Sequence, residues 1–149
     1  MIVYTRGNIF DADTQAITNT VNTVGVMGKG LALEFKNKYP LNYDLYCKAC
    51  SKGEVKVGEM FITRIGRGMY PQFIVNFPTK QHWRDPSKLE WIELGLVNLT
   101  RWLKEYNIES ISIPPLGCGL GGLDWFDVRI LLSNYLAGIK TGVVIYEPS

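Results

Sequence analysis

The spacing of apolar and polar positions changes along the chain, and each change marks an element. Residues 2–5 (Ile2, Val3, Tyr4, Thr5) form a short β-branched and aromatic run that reads as a strand. Residues 6–10 turn away from it, and Asp11 and Asp13 supply turn chemistry. Residues 16–21 read as a second strand. Residues 31–38 are good helix formers with lysines near their end, where the helix dipole favours positive charge. Pro40 stops that helix and stands near the start of another over residues 41–51, which Gly53 terminates. Residues 60–64 and 72–77 are strands with Gly66 and Gly68 between them, the pattern of a hairpin. From Ser87 the period becomes helical. Ile92, Leu96, Leu99, Leu103 and Tyr106 fall on one face, and Ser87 with Glu90 matches a capping box. Asn107 ends that helix and residues 111–113 form a strand. Asp124 is the expected N-cap of a helix over residues 125–136, where Trp125, Val128, Leu132 and Tyr135 recur at helical spacing. Gly138 closes it, and residues 142–146 are the last strand. This alternation predicts one α/β domain over residues 1–149, a mixed sheet sandwiched by helices.

Composition narrows the class without naming a function. Hydrophobic residues are 46% and charged residues 20% of the 149, as in ordinary globular chains. A net charge of +2 permits phosphate contacts but does not describe a basic nucleic-acid groove. No apolar leader precedes Asp11, and no run approaches the ~18 apolar residues of a membrane span, so the expected location is cytoplasmic, with no membrane partner. Cys47, Cys50 and Cys118 are an odd set that argues for a reducing compartment. Cys47-x-x-Cys50 lies within a helical segment with only His82 as a further soft ligand, so no metal site is expected. Cys118 has no histidine near it in sequence to activate it as a nucleophile, although folding can bring His82 close.

Two glycine-rich stretches each lie between a strand and a helix. The first runs from Asn22 through Gly25, Gly28 and Gly30; the second is Gly117-x-Gly119-x-x-Gly122. Such loops bare backbone N–H groups to an anion, and the helix that follows adds the positive end of its dipole. Two of them at strand ends suit a diphosphate. A phosphate-binding Walker loop does not fit the first stretch, because Gly30 stands where Ser or Thr would hold Mg²⁺. A Rossmann dinucleotide site, with Glu147 as its ribose-binding acid, does not fit the second. That fingerprint opens its domain, whereas here only one strand follows.

Taken in order, Arg6-Gly7-Asn8-Ile9-Phe10, Thr20-Val21-Asn22 with Gly25-x-Met27-Gly28-x-Gly30-x-Ala32, and Pro115-Leu116-Gly117-Cys118-Gly119-Leu120-Gly121-Gly122 resemble the successive signatures of macrodomains. The resemblance covers essentially the whole chain. It implies a three-layer α/β/α sandwich around a mixed, mainly parallel sheet, with ADP-ribose as ligand or product and no cofactor or metal. It also implies a layout. Gly7, Asn8 and Ile9 approach the adenine and proximal ribose. Thr20, Val21, Asn22, Gly25, Met27, Gly28, Gly30, Leu31 and Ala32 surround the distal ribose, and Leu116, Gly117, Cys118, Gly119, Leu120 and Gly121 cradle the diphosphate. Read from its residue type alone, Asn22 has a lesser alternative as a turn-stabilising side chain.

Met27-Gly28-Lys29-Gly30 and Phe77-Pro78-Thr79-Lys80 resemble the terminal ADP-ribose glycohydrolase branch, and within it the antitoxins that remove ADP-ribose from thymidine in single-stranded DNA. That likeness implies a catalytic Lys80 beside Thr79, with Asn22 positioning the distal ribose. A neutral amine is a nucleophile, and an anomeric carbon that can open to an aldehyde lets a lysine form a Schiff base. Protein-directed members carry an aspartate where this chain has Gly121, and the first acid downstream is Asp124. The departure favours an N-glycosidic bond to a nucleobase over an ester to Glu or Asp. His82, Trp83 and Arg84 after Lys80 are a candidate DNA lip, since single strands are gripped by stacking and phosphate contacts; packing of Trp83 against the next helix is the plainer reading. The implied partners are ADP-ribosylated single-stranded DNA and a cognate DNA ADP-ribosyltransferase toxin, with the chain a monomer. The region of such antitoxins that binds the toxin is absent from these residues. Two other readings stand beside this one: a module that only binds ADP-ribose, and a deacylase acting on ADP-ribosylated protein or O-acetyl-ADP-ribose.

Overall fold

The computed structural model describes residues 1–149 and contains six strands and four α-helices. In chain order they are β1 (Ile2–Thr5), β2 (Ala16–Val21), α1 (Gly30–Lys38), α2 (Pro40–Ser51), β3 (Phe61–Arg64), β4 (Phe73–Pro78), α3 (Leu89–Glu105), β5 (Ser110–Ile113), α4 (Trp125–Leu136) and β6 (Gly142–Tyr146). A single 3₁₀ turn, Ile9–Asp11, follows β1. The strands form one sheet in the order β1-β6-β5-β2-β4-β3. All neighbours are parallel except the β3–β4 hairpin, which pairs Phe61 with Asn76 and Arg64 with Phe73.

Period-two alternation along the central strands feeds two separate cores. Ala16, Val75, Ile111, Val143 and Ile145 pack with Ile92, Leu96, Leu99 and Leu103 of α3 and with Val128, Leu132 and Leu136 of α4. Their neighbours Ile17, Ile74 and Tyr146 point the other way, against Ile9 and Phe35 of α1. Val21, Met27, Tyr46 and Ala49 extend that second face under α2. The result is a three-layer sandwich around a mainly parallel sheet. Asn19 and Asn76, opposite each other on β2 and β4, are fully buried. The Asn76 amide exchanges hydrogen bonds with Asn42 of α2 at 3.1 and 2.9 Å, which lets two buried amides sit in the core. Close approach of α3 to β4 needs Gly95, because any Cβ there would collide with the Phe77 ring.

Two details of α3 depart from the sequence reading. Ser87 does not cap it. The helix starts at Leu89 with Lys88 at the N-cap and no side-chain cap, and Ser87 is 6% exposed with a hydroxyl that has no partner. Its backbone N–H instead donates to Gly121 O at 2.9 Å, so a tertiary contact displaces the local cap. Tyr106 lies past the last helical residue and is 64% exposed, because Asn107 turns the chain into the left-handed region at φ 49°.

Candidate functional site

The parallel strands β5, β2 and β4 end at the same edge. The loop leaving β2 turns to the layer of α1 and α2, and the loop leaving β5 turns to that of α4. Between two such divergent loops an open α/β sheet forms a crevice. A cavity of about 450 Å³ lies there. Its walls come from Thr20, Val21 and Asn22, from Val26, Gly28 and Lys29, and from Gly30, Leu31 and Ala32 in the first turn of α1. Thr79, Lys80 and Trp83 beyond β4 and Pro114, Pro115, Gly117, Gly119, Leu120 and Gly121 beyond β5 complete it.

The Asn22 side chain organises the first loop. Its Nδ2 donates to Val26 O at 2.8 Å, and its Oδ1 accepts from the N–H groups of Val24 and Val26 at 3.1 and 3.3 Å. This is the turn-stabilising geometry open to a short amide side chain. The loop delivers α1 with no side-chain cap at Lys29. The N–H groups of Gly30, Leu31 and Ala32 therefore lack acceptors in the chain while lining the cavity.

Lys80 is fixed by main chain on both sides. The β2–β4 pairing continues beyond the strands: Thr79 N–H donates to Val21 O at 2.9 Å, and Thr23 donates to Gln81 O through N–H at 3.1 Å and Oγ1 at 2.8 Å. The Lys80 ammonium donates to Trp83 O at 3.2 Å, and both residues line the cavity. Trp83 lines the cavity and is 40% exposed. The His82 ring lies 5.4 Å from its ring and the Arg84 guanidinium 4.7 Å over it.

The second loop folds on itself. Cys118 N–H donates to Pro115 O, Gly122 N–H to Gly119 O and Leu123 N–H to Gly117 O. Gly119, Leu120 and Gly121 keep N–H groups without acceptors in the chain, and all three line the cavity. Such a run of free backbone donors is an anion cradle. The first turn of the helix behind this loop does not line the cavity, contrary to the sequence reading. Asp124 caps α4 with its own carboxylate, accepting from Phe126 N–H at 2.8 Å, and so already occupies the helix N-terminus. The open helix N-terminus at the site is that of α1.

Gly121 cannot be exchanged for an acid in this conformation, because a Cβ there would collide with the Gly117 carbonyl and the Ser87 hydroxyl. Cys118 is no activated nucleophile. Burial, with Asp124 nearby, pushes its thiol up to about 11, so the thiolate is scarce at neutral pH. Cys47 and Cys50 lie on α2 against the Gly25 turn, Cys47 donating to Gly25 O at 3.5 Å. No group of three or more His, Cys, Asp or Glu side chains comes together in the fold.

Lys29 and Lys80 are the charged lining residues, with no acid among them, so the cavity is electrostatically suited to an anion. Several residues expected at the site stand outside the lining. Met27 and Leu116 are buried, and so is Ile9, packed against Phe35 of α1. Asn8 uses its carbonyl oxygen to cap the 3₁₀ turn by accepting from Phe10 N–H at 2.9 Å. Gly7, Gly25, Cys118, His82 and Arg84 also do not line it. Val26, Lys29, Pro114 and Pro115 do, and they were not among the contact residues expected from the sequence. Lys29 carried a usable signal, a cation inside a glycine loop just before a helix; the prolines carried none.

Comparisons with known proteins converge. The Macro domain family model matches residues 18–132. The chain is 52% identical, over its full length, to a "DNA ADP-ribosyl glycohydrolase" of Mycobacterium tuberculosis and spans 43% of that relative's length. The macrodomain of Mycobacterium tuberculosis DarG superposes with a TM-score of 0.97 at 51% identity, covering 100% of this chain and 99% of that one. A Thermosipho africanus relative, described as a DNA ADP-ribosyl transferase–glycohydrolase fusion protein, is 37% identical over 96% of this chain and 41% of its own. The solved DarTG of that organism, in complex with ADP-ribose, matches with a TM-score of 0.92 at 36% identity, covering 99% of this chain and 41% of that one.

Proposed function

The chain belongs to the macrodomain family, and on that basis we propose that it is a DNA ADP-ribosyl glycohydrolase that binds ADP-ribose in the cavity and cleaves the bond joining it to a nucleobase, thymine first among them, in single-stranded DNA. One observation carries the reading: the anion cradle of Gly119, Leu120 and Gly121 and the Lys80 side chain face one acid-free cavity. The cradle and the open N-terminus of α1 hold the diphosphate, and the distal ribose lies between Asn22 and Lys80.

In this reading the Lys80 nitrogen is the nucleophile. Its nitrogen attacks the anomeric carbon, the carbon–nitrogen bond to the base breaks, and the electron pair leaves with the base, which takes up a proton. Water then hydrolyses the sugar–lysine adduct, restoring the amine and releasing ADP-ribose. The step needs no cofactor. Trp83, backed by Arg84 and His82, offers a stacking surface for the strand at the mouth. An ester-linked substrate is disfavoured, since the backbone at Gly121 leaves no room for the acid such chemistry uses. The biological reading is an antitoxin acting as a monomer in the reducing cytoplasm, opposed to a DNA ADP-ribosyltransferase toxin. The fusion of the two activities in the Thermosipho africanus relative supports it.

The test uses an oligonucleotide ADP-ribosylated on thymine and, separately, a protein ADP-ribosylated on glutamate. The wild-type chain releases ADP-ribose from the DNA and little from the protein. Lys80→Ala and Lys80→Arg keep ADP-ribose binding and lose roughly 10²–10⁴ in release rate. A Lys80→Ala variant with full activity would falsify the lysine mechanism. Tight ADP-ribose binding by wild type without release from either substrate would leave a binding module.

A further inference from the structure

Tyr46 of α2 is completely buried, yet its hydroxyl lies beneath the cavity floor, 2.8 Å from both Asn22 O and Asn22 Oδ1. Burial pushes the phenol far above its ordinary range, so it is an O–H donor at neutral pH. An amide side chain can be turned end for end unless its surroundings choose, and here they choose unanimously. Two groups that can only donate, the N–H groups of Val24 and Val26, face Oδ1, and one that can only accept, Val26 O, faces Nδ2; with the amide set this way round, the single Tyr46 O–H hydrogen lies within reach of both Oδ1 and the Asn22 carbonyl. Val24 and Val26 belong to the exposed loop itself and move with it. Tyr46 alone among these partners is anchored in the core, packed with Val21, Met27, Ala49 and Val55. Nδ2 carries two hydrogens, and only the one to Val26 O has an acceptor in the chain, although Asn22 lines the cavity.

We infer that Tyr46 is a positioning residue: its hydroxyl locks the Asn22 amide to the α2 layer and keeps the second Nδ2 hydrogen available to a hydroxyl of the sugar in the cavity. The inference rests on the reading that the cavity takes ADP-ribose. Without the phenol oxygen, the loop and its amide are held only by each other, and the amide donor is no longer presented at a fixed place.

The experiment is a double-mutant cycle read by calorimetric titration with ADP-ribose and by release from ADP-ribosylated oligonucleotide. Tyr46→Phe keeps the ring in the core and is expected to weaken ADP-ribose binding about tenfold. Its effect on release is expected chiefly in KM. In the Asn22→Ala background the same change has less than about a twofold effect, because Tyr46 acts through Asn22. Equal losses in both backgrounds would overturn the proposal, since a merely structural Tyr46 would weaken both alike. Where Tyr46→Phe does not fold, Asn22→Asp decides. It keeps an acceptor for Tyr46, removes the N–H donor and places a carboxylate in an acid-free site, so affinity must fall, and wild-type affinity would sink the idea. Failure of wild-type chain to bind ADP-ribose at all would instead strike at the function proposed for the cavity.

Discussion

At the level of single residues the site is an arrangement of donors more than of charges. Asn22 illustrates how a residue can satisfy two readings at once. Its type in a glycine loop permits a turn-former or a ligand contact, and the fold uses the oxygen for the turn and leaves a hydrogen for the cavity. Gly121 is the sharper case. Its lack of a side chain could be a chance loss of an acid, easily restored, but the Gly117 carbonyl and Ser87 hydroxyl fill the place of its Cβ. Gly121→Asp is therefore expected to distort the cradle and weaken ADP-ribose binding by about tenfold or more, with no gain in release from ADP-ribosylated glutamate. Titration with ADP-ribose and the glutamate-linked assay check this together. An aspartate variant that binds normally and cleaves the ester would show that the loop adapts. Lys80 shows what sequence leaves unsaid. Most lysines are solvated, and only its likeness to a family signature, or the folded continuation of β2–β4 pairing, marks this one.

At the level of elements, local signals were legible wherever the chain decides locally. The strands β1 and β2, the helix α4 with its Asp124 cap, and the turn at Asn107 follow from propensity and cap chemistry. The start of α3 did not follow, because a contact 34 positions away in sequence decides it: Ser87 N–H reaches Gly121 O. That contact ties the segment carrying Lys80 to the loop of free backbone donors at Gly119–Gly121, so two walls of the cavity are joined by it. The two views of Ser87 separate in a stability measurement. If its hydroxyl capped α3, Ser87→Ala would cost about 1 kcal/mol. With the hydroxyl buried and without a partner, the change is expected to be neutral or slightly stabilising, within about 0.5 kcal/mol. Thermal unfolding distinguishes them, because 1 kcal/mol shifts the midpoint by about 2–4 °C in a chain of this size. A full capping loss would contradict the geometry seen here.

At the scale of the whole molecule, period and cap chemistry are local, but the order β1-β6-β5-β2-β4-β3 depends on which strands meet. Nothing in the spacing of apolar residues places β5 beside β2, yet that adjacency brings the two glycine loops to one crevice. Its electrostatics are equally non-local. A net charge of +2 looks too weak for a nucleic-acid partner, and for a wide basic groove it is. The fold instead sets a few positive charges along one wall: Lys29 and Lys80 line the cavity, and Arg84 and Lys88, with Asp85 between them, follow on the segment that carries Trp83. A protein built this way should grip a short length of strand, mostly by the ADP-ribose group and stacking, and depend only mildly on salt. With Lys80→Ala used to keep the substrate intact, at most Lys29, Arg84 and Lys88 remain to meet phosphates. The slope of log affinity against log salt is then expected near −2, about −0.7 for each single-strand contact. Fluorescence anisotropy on an ADP-ribosylated oligonucleotide measures it. A slope steeper than about −4 would require an extended phosphate-binding track and a different account of how the strand lies on this surface.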